Sequence, residues 1–220
     1  MTRPILFDLD GTLVDTPNAI VENFTATLAE LGVPAASPEE IRSTIGLPLE
    51  KAFTQLIGVS APAATVDAAV PCYQRLYREL IVPKAQSLLY PGVVDGLARL
   101  SEAGLLLAIA TSKYTASAEV LLTAAGIRDR FAMVVGADAV TEPKPAPETG
   151  LLIAAELGHP ADRAIMVGDT THDISMAHNA GMRSVAVTYG IHSPDQLAAV
   201  RPTWTVSDFP AVVELILRAD

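Results

Sequence analysis

Short apolar runs alternate with longer amphipathic stretches along most of the chain. Ile5 to Phe7, Leu105 to Ala110, Ala132 to Val135, Ala164 to Val167 and Val185 to Val187 each stop abruptly at a polar residue or a glycine. Runs this short and continuous predict strands buried on both faces, as in a parallel sheet. Between the later runs the spacing predicts helices over Thr115 to Ala125, Pro147 to Leu157 and Thr171 to Ala180. Each is followed at once by a glycine (Gly126, Gly158, Gly181) suited to a left-handed C-terminal cap. Strand and helix in alternation predict an open, doubly wound α/β sheet of Rossmann-like type, whose ligands bind outside the carboxyl ends of the strands. Thr203 to Val206 is a candidate sixth strand and Ala211 to Leu217 a last helix.

One connection breaks the rhythm. The stretch between the first strand and the next core-like helix, Val93 to Ala103, is far longer than such loops usually are. An inserted subdomain accounts for it. Within it, Ile20 to Leu31, Pro38 to Ile45, Leu49 to Ile57 and Val66 to Ile81 read as helices, separated by Gly32-Val33-Pro34, Gly46-Leu47-Pro48 and Gly58-Val59-Ser60. The expectation is a helical bundle over the strand ends acting as a lid, with hinges at Leu13 to Pro17 and Pro83 to Pro91. Residues 15–85 would form this cap, and residues 1–14 and 86–220 the α/β core.

Composition narrows the function. The 220 residues are 50% hydrophobic, enough for a sizeable core. A formal net charge of -10, with no basic patch, argues against a nucleic-acid partner. Met1-Thr2-Arg3-Pro4 leads into an apolar run too short for a signal peptide or a membrane span, so the expectation is a cytoplasmic protein with no membrane partner. The single cysteine, Cys72, rules out an internal disulfide and reads as a packed residue. Oligomeric state is not legible.

The chemistry gathers where the predicted strands end. Asp8 and Asp10 follow the first strand in Asp8-Leu9-Asp10-Gly11-Thr12, and alternation aims both into one crevice. Two carboxylates about 4 Å apart repel by roughly 4 kcal/mol at an effective dielectric of 20, so one is protonated or a cation sits between them. Gly168-Asp169-Thr170-Thr171-His172-Asp173 follows the fourth run. Asp169 and Asp173 either join the first pair around a hard divalent cation, most naturally magnesium, or Asp173 is simply the capping-box partner of Thr170. Thr111 and Ser112 end the second run, where they serve an anion site or cap the next helix. Lys144 stands before Pro145, either on a surface turn or presented to the acids; Lys113 reads as solvent-exposed. A nucleophilic aspartate, an acidic aspartate, a cation, a lysine and a hydroxyl pocket fit phosphoryl transfer.

With these four motifs in order, the chain resembles the haloacid dehalogenase superfamily, in particular its phosphoglycolate phosphatase and β-phosphoglucomutase branch, which carries a helical cap after the first motif. Leu89-Tyr90-Pro91-Gly92-Val93 and Ala180-Gly181-Met182 fit that branch too. The resemblance implies a phosphoric monoester hydrolase. Asp8 would attack phosphorus to give an aspartyl phosphate. Asp10 would protonate the leaving oxygen and later activate water. Magnesium would be held by Asp8, the Asp10 carbonyl and Asp169, with Asp173 as ligand or support. Thr111, Ser112 and the backbone of Leu9 and Asp10 would bind phosphoryl oxygens, and Lys144 would neutralise charge.

Asp10 argues against the dehalogenases and phosphonatases of the superfamily, which lack that acid. The mutases carry an early cap histidine near the position of Ile20, which favours a phosphatase here. The resemblance implies a small phosphorylated metabolite as substrate, with phosphoglycolate the first expectation. The turn at Gly46 falls where this branch keeps its specificity loop, with Arg42 and Lys51 as nearby cations, and His172 either meets substrate or faces solvent. Ala110-Thr111-Ser112-Lys113 and Val187-Thr188-Tyr189-Gly190 are also similar to phosphatases of antibiotic biosynthesis such as the alnumycin phosphate phosphatase, which keeps a larger sugar- or nucleotide-like phosphate open. A signalling receiver domain and a non-catalytic binding protein are the rival classes. Receivers are about half this length and lack the helical insertion, and a binding protein has no need of the full set of Asp8, Asp10, Lys144 and Asp169.

Overall fold

The computed structural model describes residues 3–58 and 63–219. Six strands form one sheet: β1 (Pro4–Phe7), β2 (Leu106–Ala110), β3 (Met133–Val135), β4 (Ile165–Gly168), β5 (Arg183–Val187) and β6 (Trp204–Val206). Their order is β3-β2-β1-β4-β5-β6, and every pairing is parallel. Both faces are covered, as the unbroken apolar runs require. Ile5 and Phe7 pack on one side with Val167, Val185, Val187 and Phe209, while Leu6 faces the other with Ala108, Met166 and Ile153. This is the doubly wound α/β fold, and the order of the strands reverses between β1 and β4, so a crevice opens where those two end.

Helices α1 (Pro17–Glu30), α2 (Pro38–Thr44), α3 (Leu49–Ile57) and α4 (Ala63–Leu80) follow β1 and pack on one another. An aromatic series binds them: Phe24 lies 4.8 Å from Phe53 and 4.7 Å from Tyr73 between ring centroids, and Tyr73 stacks on Tyr77 at 6.1 Å. The Asn23 amide donates to the carbonyl of Tyr73 at 3.0 Å. The turn expected at Gly58-Val59-Ser60 lies largely outside the described residues, as do Met1 and Thr2. The two strands of chain that join these helices to the sheet are tied together: Asp15 N–H donates to Leu88 O at 2.7 Å and Tyr90 N–H to Leu13 O at 3.1 Å. Val82–Leu88, which overlaps the expected hinge at Pro83 to Pro91, forms a 3-10 helix.

Beyond them come α5 (Val93–Glu102), α6 (Thr115–Ala124), α7 (Glu148–Glu156), α8 (Thr171–Asn179), α9 (Pro194–Ala199) and α10 (Phe209–Arg218). The spacing of apolar residues finds all but α9, whose six residues are too few to show a period. Its signal is instead the capping box of Ser193 with Gln196. Helix α10 starts two residues before the expected Ala211, because the Asp208 side chain accepts from Ala211 N–H at 2.8 Å and so sets the cap there. No helix among the described residues is long and apolar enough to cross a membrane.

Candidate active site

Three carboxylates meet where β1 and β4 end. Asp8, Asp169 and Asp173 each place an oxygen within 4.8 Å of the others, and all three are buried. Lys144 joins them from the loop after β3. Its ammonium donates to Asp8 Oδ1 at 2.8 Å, to Asp173 Oδ1 at 2.5 Å and to the Ala110 carbonyl at 3.0 Å. The surface-turn reading of Lys144 does not hold, since the residue is 4% exposed.

Asp169 is held at both ends. Thr12 Oγ1 donates to its Oδ1 at 2.8 Å and Ile191 N–H to its Oδ2 at 2.8 Å. Two glycines make room for it: a Cβ on Gly11 would stand 2.2 Å from Asp169 Oδ2, and one on Gly190 would stand 2.3 Å from the same oxygen. Asp173 is the expected capping-box partner and also lies in the acidic cluster. It is the capping-box residue of α8, taking Thr170 N–H at 3.0 Å and Thr170 Oγ1 at 2.7 Å on Oδ2, while its other oxygen meets Lys144.

Burial is the leading electrostatic fact of the cluster. It pushes the Asp8 carboxyl up to about 7, with Lys144 pulling back down and Asp173 pushing further up. Asp169 is raised well above the ordinary carboxylate range by burial and then by Asp8 and Asp173. Burial pulls the Lys144 ammonium down, but Asp173 and Asp8 more than offset this, so it stays charged. With one lysine among three buried acids, full ionisation of the cluster requires a further positive charge. An oxygen-only donor set of this kind suits a hard divalent cation.

Asp10 stands apart from this cluster. Thr16 Oγ1 donates to its Oδ1 at 2.6 Å and the Lys113 ammonium lies 3.0 Å from its Oδ2. Lys113 therefore is not the exposed residue expected: its side chain is about one-tenth accessible, and its ammonium sits 4.2 Å above the ring of Tyr77 in α4. Isolated sequence context carries no sign of this, because both partners come from other elements. Thr111 and Ser112 do not cap α6, which begins at Thr115 behind Tyr114. Thr111 Oγ1 accepts from Lys113 N–H at 3.2 Å, and the buried hydroxyl of Ser112 has no partner among the described residues. Leu9 buries its side chain and gives its carbonyl to Leu13 and Val14 N–H.

A cavity of about 80 Å³ lies between these residues and the helices above them, lined by Asp8, Asp10, Thr111, Ser112, Lys113 and Thr170 on one side and by Ile20, Phe24, Gly46, Leu47, Leu49, Tyr73 and Tyr77 on the other. Gly46 is thus at the cavity, with His172 Nδ1 3.2 Å from where its Cβ would be. His172 is half-buried, and burial lowers its pKa. Arg42 is not brought in. Helix α2 turns Ile41 and Thr44 inward, so Arg42 faces out and donates to Asn18 Oδ1 at 2.7 Å. Lys51 is exposed and outside the cavity as well. Thr12, Thr16, Gly190 and Ile191 are the contributors that the spacing of motifs did not single out individually.

A parallel sheet with acids at the ends of two adjoining strands, a buried lysine and a cavity roofed by inserted helices defines a phosphoryl-transfer type of hydrolase. The sequence matches the haloacid dehalogenase-like hydrolase family over residues 5–187, and the chain belongs to that family. It is 52% identical over 209 residues to "Probable phosphatase IndB" of Dickeya dadantii (strain 3937), covering 95% of this chain and 91% of that protein. It is 34% identical to the phosphoglycolate phosphatase of Mesorhizobium japonicum over 99% of this chain and 97% of the relative. Its fold superposes on the crystal structure of a predicted phosphoglycolate phosphatase from Haemophilus somnus 129pt with a TM-score of 0.88 at 26% identity, covering 98% of each chain.

Proposed function

We propose that the chain, a phosphatase of this family, is a magnesium-dependent phosphomonoesterase that hydrolyses a small phosphorylated metabolite through a phosphorylated Asp8. The observation that carries this reading is the buried cluster of Asp8, Asp169, Asp173 and Lys144, with Asp10 beside it on separate partners. Names of relatives support the activity, and the geometry supports the roles.

Asp8, Asp169 and the Asp10 carbonyl would hold the cation, and a divalent ion bound there supplies positive charge to phosphoryl oxygens and to the nucleophile. Asp173 supports it by fixing Lys144. That lysine, 2.8 Å from Asp8, favours the ionised carboxylate that attacks phosphorus. As the Asp8 oxygen bonds to phosphorus, the bond to the leaving oxygen breaks and Asp10 gives that oxygen its proton. Asp10 then takes a proton from the water that cleaves the aspartyl phosphate, releasing inorganic phosphate and restoring Asp8. Thr111 and Ser112 receive the phosphoryl oxygens; the unpartnered hydroxyl of Ser112 is a donor waiting for an acceptor. Lys113 holds Asp10 in place.

In this reading residues 15–85 act as the lid and residues 1–14 and 86–220 as the core, with closure excluding bulk water. Ile20, buried at the cavity, offers no proton shuttle, which favours hydrolysis over phosphate transfer within a sugar. The test is phosphate release from a panel of phosphomonoesters with and without magnesium. Metal-dependent turnover is expected, and Asp8→Asn should lower it by at least about 10³-fold while the protein still folds. Activity retained in Asp8→Asn, or turnover indifferent to chelation, would overturn the mechanism.

A further inference from the structure

The wall of the cavity opposite the acids is largely apolar and aromatic, with Ile20, Phe24, Leu47, Leu49, Tyr73 and Tyr77, and its other polar side chains, Thr44 and Gln74, are uncharged. Among the described residues lining it the single basic side chain is Lys113, and that ammonium is already committed to Asp10 at 3.0 Å and to the face of Tyr77. Lys144 serves Asp8 and Asp173 beneath. Arg42 and Lys51, the cations near the Gly46 turn, do not reach it. The tyrosine that covers Lys113 also brings a polar end: its hydroxyl is buried and has no partner among the described residues.

A leaving group that carries its own carboxylate would have to bury that charge against leucine, isoleucine and phenylalanine, with Asp8 and Asp10 close by and no cation to meet it. Such burial is strongly disfavoured. A flat uncharged group gains instead from burial against this largely apolar lining and from the hydroxyl that Tyr77 offers.

Resting on the phosphatase reading, we infer that the preferred substrate is a phosphomonoester whose leaving group is an uncharged ring, and that the cavity discriminates against leaving groups with a carboxylate. The discrimination acts on the part of the substrate that differs between esters, while the phosphoryl end is handled identically.

The test compares kcat/KM of the wild-type protein, with magnesium, on benzyl phosphate, ethyl phosphate and 2-phosphoglycolate, all esters of primary alcohols. Benzyl phosphate is expected to exceed both by at least about tenfold. A preference for 2-phosphoglycolate, or equal rates on benzyl and ethyl phosphate, overturns the inference and leaves the phosphatase reading intact. Turnover of none of the three, or of any other ester, overturns both. As a second measurement, Leu49→Arg places a cation in the wall, and the ratio of 2-phosphoglycolate to benzyl phosphate should rise by about tenfold. An unchanged ratio in that folded variant would show that the wall does not select the leaving group.

Discussion

At the scale of single residues, the site is a matter of keeping like charges where water cannot screen them. Asp8 and Asp169 are both held in forms that resist ionisation by burial, and Lys144 compensates part of the charge. Asp169 also depends on empty space. A methyl group on Gly190 would stand 2.3 Å from both the Cβ and the Oδ2 of Asp169 and 2.5 Å from the Gly11 carbonyl. Gly190→Ala should therefore push Asp169 off the position set by Thr12 and Ile191. The expected outcome is an apparent magnesium requirement raised by about tenfold or more, with activity partly restored at high magnesium. Titration of activity against magnesium measures it. The adjacent Tyr189 is part of the same support, since its hydroxyl donates to the Thr12 carbonyl at 2.8 Å.

At the scale of elements, helix α8 joins stability to the site through one residue. Thr170 caps the helix and donates twice to Asp173, which in turn holds Lys144. Thr170→Ala should cost about 1 kcal/mol in a urea titration, as loss of an N-cap does. It should also lower kcat by roughly tenfold or more, because Asp173 then loses its hydroxyl partner. Thr170→Ser keeps that hydroxyl and should restore most of both. A variant that lost stability but kept full kcat would separate the cap from the chemistry. Elements were also where the sequence was most readable. The strands are apolar because both faces are covered, and α5 to α8 carry full helical periods. Helix α9 has too few residues to show a period, and the 3-10 turn at Val82–Leu88 is a short run with Pro83 near its start and no apolar repeat.

At the scale of the whole molecule, the buried acids link folding to pH and metal. The Asp8 carboxyl is raised from 3.8 to about 7 in the folded protein, so its protonated form favours the fold. That contribution is full below the unfolded value and is lost as pH rises through about 7; Asp169 acts with the same sign. Metal-free protein should therefore lose several degrees of Tm between about pH 5.5 and about pH 8.5. Magnesium should flatten the decline by binding the ionised carboxylates. A decline of equal steepness with and without magnesium, followed by calorimetry, would argue against cation binding at this cluster. The sequence by itself determined the sheet, the helices on either side of it and the order of the motifs at the strand ends, because those follow from local periodicity and from chain direction. It also placed Asp8 and Asp169 at one edge, since parallel strands all end on the same side, and left Lys144 and Asp173 each with two readings that the structure resolved by bringing both to Asp8. Only the tertiary structure decided that Lys113 turns inward to Asp10 and Tyr77, that Arg42 turns away and that an aromatic wall faces the acids. Those outcomes depend on which distant elements meet, and no local pattern of hydrophobic and polar residues records that.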